Sequence, residues 1–317
     1  MMADEQPAHV HVEPVMGTVV SITVRPPSRT AGLNAPPVDG AGPAALGSDA
    51  ALGLDAAIGV AVAALRQTDE DFSTFKAGSW VSLLRRGEIG LEDCPGHVRE
   101  VYRLAEACRD RSGGWFDPAW RGDGTLDPTG LVKGWAADVA SAALSLAGVA
   151  DHCVNAAGDL RLRGAPAPGR SWRVGISDPF HRDRVVAVVE GTDLAVATSG
   201  IAEQGGHVVD PWTRAPASGL ASVTVVGPDL ALADAYATAG LAAGRNAPEL
   251  LNDLARDGWE WLTVDSTGGV AYSAGFRGQA GRPGQPVVAC FGYVGQVAAA
   301  TLPSVLGPDL PRVRLSS

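Results

Sequence analysis

The chain has 317 residues, a formal charge of −10 at pH 7, a pI near 5.0 and 46% hydrophobic residues, so one large domain or two modest ones can form a core without disulfide or metal staples. The acidic balance argues against a surface built for nucleic acid or anionic lipid, because clustered Lys and Arg hold such partners. Lys76 and Lys133 are the only lysines among 25 basic residues, which makes a Lys inside a motif informative.

Cys94, Cys108, Cys153 and Cys290 form no CxxC pair and no compact Cys/His cluster, and they read as reduced core thiols rather than zinc ligands. The start, MMADEQPAHVHVEPV, has neither a charged segment followed by an apolar run nor a lipobox-like cysteine, so a cytoplasmic protein is expected. The late apolar stretch from Val287 to Leu302 is interrupted by Gly292, Gly295 and Gln296 and is too short for a membrane span.

In chain order, Val15 to Val24 reads as one β-branched strand, followed by a Pro/Ala/Gly-rich insertion over 25–47. Helices are expected over Asp49 to Arg66, Val98 to Arg111 and Asp127 to Leu146, the last placing Lys133 near its start. Strands follow near Cys153 to Asn155, Trp172 to Ile176, Val185 to Glu190, Leu194 to Thr198 and Ala221 to Val226. Helices at Leu230 to Ala243 and Pro248 to Arg256 precede two strands at Trp259 to Val264 and Gly269 to Ser273. The order and turn chemistry indicate an α+β fold with a mainly antiparallel sheet and flanking helices. Residues 1–14 read as a tail, 15–276 as a single catalytic domain, and 277–317 as a C-terminal tail of no assigned role.

Asp234 and Thr238 lie four residues apart on one helix, so a carboxylate and a hydroxyl share a face and can serve one hard cation such as Mg²⁺; a solvated helix edge is the plainer alternative. DPTGLVKG sets Asp127, Gly130 and Lys133 at a helix start. Free amides, a carbonyl and an ammonium there can hold a diphosphate with its metal, or simply make a cap and a surface lysine. In TSGIAEQGGHVVDPWTR, His207 is a candidate base or a packed histidine. The hydroxyls of Thr198 and Ser199 lack the G-x-S-x-G context of a serine nucleophile. Met16 on the first strand, Phe75 in FSTFKAGS and Trp115, Phe116 and Asp117 in GGWFDPAW offer flat apolar walls beside polar donors, as a flavin site needs and as core anchors also would.

Taken in order, MGTVVSITV, FSTFKAGSWVSLLRRGE, GWFDPAW, LDPTGLVKGWAADVASAAL, HCVNAAGDLRLRG, WRVGISDP, ATSGIAEQGGHVVDPWTRAPA and SVTVVGPDLALADAYATAGLAAG resemble the ApbE family from about Val15 to Phe276. The resemblance implies an ApbE-like, T-fold-related domain with an FAD cleft. It also implies an FAD:protein FMN transferase, which splits FAD at its diphosphate, releases AMP and joins FMN through a phosphoester to a Thr or Ser of an acceptor flavoprotein. By the same resemblance, Gly130 (through its carbonyl), Asp234 and Thr238 bind Mg²⁺. Met16, Phe75, Trp115, Phe116, Asp117, Thr129, Gly130, Lys133 and Ala217 line the FAD site, and Lys133, His207 and Asp234 are catalytic, with either of the last two as base. Neither nucleic acid nor an integral membrane segment is expected.

The sequence departs from the family pattern where Phe75 replaces a common Tyr, where AAGD over Ala156 to Asp159 replaces GGD, and where Arg214 takes a customary Gly position. The remaining alternatives are an FAD pyrophosphatase that uses water as acceptor and a non-catalytic flavin-binding protein.

Overall fold

A computed structural model describes residues 8–25, 45–181, 183–201 and 208–276, together with the backbone of three short strands within 286–314. The first strands, β1 (His9–Val15) and β2 (Thr18–Val24), form an antiparallel hairpin in which Val15 pairs with Thr18. The single strand expected over Val15 to Val24 is thus divided. Met16 and Gly17 form a two-residue turn with φ of 55° and 68°, the left-handed pair that matches strand twist in tight hairpins. Most of the Pro/Ala/Gly-rich insertion lies outside the described residues, but its last residues already belong to α1 (Ala45–Phe72), which extends beyond the expected helix at both ends.

Next come α2 (Trp80–Arg85), α3 (Gly96–Arg111) and α4 (Thr129–Leu146), then β3 (His152–Ala156), β4 (Asp159–Arg163), β5 (Trp172–Ser177), β6 (Val185–Gly191), β7 (Ala195–Gly200) and β8 (Leu220–Gly227). Helices α5 (Leu230–Ala243) and α6 (Ala247–Ala255) lead to β9 (Glu260–Asp265) and β10 (Val270–Tyr272). Three further strands, β11 (Pro286–Ala289), β12 (Ala300–Thr301) and β13 (Arg312–Arg314), lie in the segment read as a tail.

The principal sheet runs β1-β2-β3-β4-β7-β8-β9-β10 and is antiparallel throughout. A second sheet runs β12-β11-β5-β6-β13, in which β11 is parallel to β5 and β13 to β6, while the β12–β11 and β5–β6 pairs are antiparallel. One core fills the space between the helices and the principal sheet, using Ala195, Ala197, Val223 and Val225 with Leu131, Leu144 and the alanines of α5. A second core joins the opposite face to the second sheet through Leu160, Leu162, Val196, Val226, Trp172, Val174 and Ile176. Each fully buried Val, Leu or Ile is worth roughly 1.5–3 kcal/mol relative to exposure, so the second sheet is an integral layer. Burial on both faces explains why β8 reads as a nearly unbroken apolar run, LASVTVVG, without alternation.

Two features aim the site residues. In β4 the alternation Asp-Leu-Arg-Leu-Arg turns Leu160 and Leu162 to the second sheet and Asp159 and Arg161 to the helices. On α4, Gly134 is required: a Cβ there would stand 2.5 Å from the Leu230 carbonyl oxygen, so its absence lets α4 and α5 approach backbone to backbone.

Candidate functional site

The β1–β2 and β3–β4 turns lie at the same end of the principal sheet, since Val20 pairs with Ala156 while Ala156 pairs with Asp159. β7 ends there too, because Leu160 pairs with Val196 and the Thr198 N–H reaches Asp159 Oδ1 at 2.9 Å. Above this end sit the first turns of α4 and the middle of α5.

Asp234 is the only charged residue of α5, a helix otherwise built from Ala, Leu, Gly, Tyr and Thr and buried nearly all round; it is 6% exposed. Its Oδ2 accepts the Gly134 N–H at 3.1 Å. In a regular helix that N–H points to the Gly130 carbonyl, so the carbonyl and the carboxylate adjoin the same amide. One turn along α5, Thr238 Oγ1 is 3.1 Å from Ser199 Oγ. These residues fit Mg²⁺: a single carboxylate, a hydroxyl and a carbonyl are hard oxygen donors, and the ion ordinarily keeps water or phosphate in its other positions. Among the described residues no group of three or more His, Cys, Asp or Glu forms a metal cluster, which leaves this mixed oxygen set as the cation candidate.

Lys133 Nζ lies 2.6 Å from Asp159 Oδ2, with the lysine side chain 31% exposed and the aspartate 1%. Asp159 thus joins α4 to β7, and Thr198 continues the chain through Thr224, whose Oγ1 is 2.9 Å away. Five residues beyond Lys133, Asp138 Oδ2 accepts the N–H groups of Leu230 and Ala231 at 2.8 and 3.0 Å, while Oδ1 faces Arg161 Nε at 3.1 Å. Burial raises the Asp138 pKa to about 6 and the nearby Asp229 adds to the rise, against the pull of Arg161 and the two amides. Asp138 is a structural clamp: it caps α5 from α4 and sets the height of Asp234 and Thr238 against Gly130. Neither Asp159 nor Arg161 stands out in the sequence, although the DLRLR alternation carries the signal.

Asp127 is buried and holds the start of α4 in place. Its Oδ1 accepts from Thr129 N and Oγ1 at 3.1 and 2.6 Å, and its Oδ2 accepts from Arg121 Nε and a terminal nitrogen at 2.9 and 2.8 Å. Phe116 is buried beneath Gly130, with a ring carbon 3.0 Å from where a Cβ would be, so it acts as a core anchor under the helix start. Trp115 meets Trp212 edge to face at 6.2 Å, and Asp117 lies 3.6 Å from Arg109. Met16 and Ala217 pack partly buried against the main core, whereas Phe75 is 98% exposed, away from any packed wall. His207 lies outside the described residues.

The three described non-glycine residues with positive φ are Met16 (55°), Ala157 (52°) and Arg214 (61°). Met16 and Ala157 occupy the two neighbouring turns at the site's end of the sheet, and Arg214 reaches the strap leading to α4, donating to the carbonyls of Ala119 and Trp120. Backbone strain of this kind, rare outside Gly and Asn, gathers at functional sites.

Comparison with known proteins defines the class first. The fold is shared with the ApbE protein from Thermotoga maritima (TM-score 0.65, 21% identity, covering 84% of this chain and 97% of that one) and with the flavinyl transferase ApbE from Pseudomonas stutzeri (0.64, 23%, 86% and 96%). The ApbE family profile matches residues 120–260, the stretch that contains every residue of the α4–β4–α5 constellation. Over 127 residues the chain is 41% identical to an FAD:protein FMN transferase from Rhodobacter capsulatus, covering 38% of this chain and 24% of the relative. Over 129 residues it is 34% identical to one from Vibrio cholerae, covering 38% and 39%. Residues 120–260 thus resemble the ApbE family, and the solved ApbE structures share this chain's fold. The matched stretch spans less than half the length of these curated relatives. Among the described residues no helix is long and apolar enough to cross a membrane.

Proposed function

We propose that this protein is a Mg²⁺-dependent FAD:protein FMN transferase whose site residues all lie within 15–276, although the two sheets also take in β1 and β11 to β13. The observation that carries the reading is the convergence of Lys133, Asp234 and Thr238, with the Gly134 amide and Ser199, at one end of the principal sheet. Names carried by curated relatives of this family add weight.

Transfer requires an acceptor Thr or Ser oxygen to bond to the phosphorus of the FMN half while the P–O bond to AMP breaks. AMP leaves with the electron pair, and the hydroxyl proton passes to a base. Mg²⁺ bound by Asp234, Thr238 and the Gly130 carbonyl would neutralise diphosphate charge and polarise the phosphoryl oxygens. Lys133 would add a second positive charge next to the amides at the α4 start, where anions are favoured. Reaching a phosphate requires its ammonium to share or exchange Asp159, so Asp159 sets where that charge rests. Asp234 or His207 would take the proton. Met16, Trp115, Asp117, Thr129 and Ala217 would border the flavin and adenylate ends, and Phe75, fully exposed, would stack only once ligand or acceptor covers it.

Co-expression with a flavin-acceptor domain, followed by intact mass measurement of the acceptor, tests this reading. A gain of one esterified FMN is expected. FMN and AMP released without acceptor labelling would favour hydrolysis, and neither product would end the assignment as an active enzyme.

A further inference from the structure

Residues 208–217 form a small hairpin closed by the Val209–Pro216 bridge, with Asp210 N–H bonded to the Ala215 carbonyl at 2.9 Å and Arg214 N–H to the Asp210 carbonyl at 2.8 Å. Its tip is an Asp-Pro-Trp-Thr turn in which Asp210 Oδ1 accepts the amides of Trp212 and Thr213. Arg214 then takes φ of 61°, a conformation natural to Gly. A residue without a side chain would relieve the backbone, so a long cation there calls for a use elsewhere.

Its guanidinium crosses to another segment. One terminal nitrogen donates to the Trp120 carbonyl and, at 3.4 Å, to the Ala119 carbonyl, and it lies over Gly122, where a Cβ would be 3.3 Å away. The anchored segment leads directly to α4: Arg121 rests 4.3 Å over the Trp120 ring and holds Asp127, which caps Thr129. On the hairpin side, Trp212 abuts Trp115 and Gly114. Arg214 therefore ties two loops of different sequence origin at the margin of the α4 start, and each loop presents a tryptophan.

We propose that Arg214 is a positioning residue that pins the 208–217 hairpin, with Trp212, to the 117–125 strap and so sets how tightly the site closes on a dinucleotide. The proposal rests on the FAD-transferase reading and adds to it a determinant of substrate affinity. The geometry assigns Arg214 to ground-state fit rather than to the bond-breaking step, because its side-chain hydrogen bonds go to the backbone carbonyls of Ala119 and Trp120.

The test uses the full chain with Arg214→Gly, which suits the positive φ and so preserves folding, and Arg214→Lys, which can reach one carbonyl. Hydrogen exchange of peptides covering 117–125 should rise in Arg214→Gly. Its KM for FAD should rise about tenfold, as expected for the loss of one to two hydrogen bonds' worth of organisation, while kcat stays within about twofold. Arg214→Lys should fall between the two. Unchanged exchange over 117–125, or a fall in kcat at constant KM, overturns the proposal. If the wild-type chain itself neither binds nor turns over FAD, the functional reading fails first, and this proposal fails with it.

Discussion

Lys133 Nζ and Asp159 Oδ2 are 2.6 Å apart, one on the exposed side of α4 and the other at the buried start of β4. Read as a surface residue at a helix start, Lys133 would be expected to tolerate removal without harm to the fold. The pair reverses that expectation, because Lys133→Ala strands a carboxylate that is 1% exposed. We expect a loss of about 1–3 kcal/mol in urea unfolding for the single variant. Much of it should return in Lys133→Ala with Asp159→Asn, which keeps an oxygen for the Thr198 amide. Wild-type stability in Lys133→Ala would show that the pair contributes nothing.

The cation site should respond to charge more than to shape. Asp234→Asn keeps an acceptor for the Gly134 N–H and so keeps the fold, but loses the only carboxylate in the proposed metal set. Turnover should drop by about a hundredfold or more, in line with metal-supplied charge stabilisation. Thr238→Val retains the shape and loses one neutral oxygen, and about a tenfold loss is expected. Assays over a Mg²⁺ series check both, and equal losses in the two variants would place the metal elsewhere.

His152 gives the fold a pH dependence of known sign. It is fully buried; the Val149 carbonyl can only accept, so Nδ1 carries the proton and Nε2 accepts from the Ser141 hydroxyl at 2.8 Å. Burial holds its pKa below the ordinary value, so the native state resists a proton that the unfolded chain binds below about pH 6.5. The histidine's contribution is therefore present above that pH and is lost as pH falls toward the depressed native pKa. The stability gap between wild type and His152→Gln should shrink by up to about 1.4 kcal/mol per pH unit in that range. Chemical denaturation at several pH values measures it, and a gap independent of pH would contradict a buried neutral imidazole.

Ala157 closes the β3–β4 turn with φ of 52°, followed by Gly158 at 103°. Ala157→Gly should stabilise the protein by about 1 kcal/mol, because an L side chain in the left-handed region costs more than the extra unfolded-state entropy of Gly. Thermal unfolding checks this, and a lower melting temperature would mean that the Ala157 methyl makes a contact outweighing the strain.

Some of the site is fixed by spacing alone. Asp234 and Thr238 must share a face of α5 because they are four residues apart in a helical segment, and the bounds of that helix, Leu230 to Ala243, follow from its Ala/Leu run between Asp229 and Gly244. The ordered motifs likewise point to the family before any coordinate is known. Tertiary structure decided what those residues face. Asp159 is 26 positions from Lys133, and Gly134 is 100 from Asp234; such pairs depend on sheet register and helix packing, which a local period cannot encode. β4 itself is hard to read from sequence because its alternation lasts five residues beside a turn and places charges toward the helices, where apolar residues would ordinarily stand. Met16 reads as part of a strand because Val and Thr surround it, yet the hairpin needs a left-handed pair at Met16 and Gly17. Arg214 carries no local signal for its role, since a guanidinium acquires partners only when the fold brings the Ala119 and Trp120 carbonyls to it.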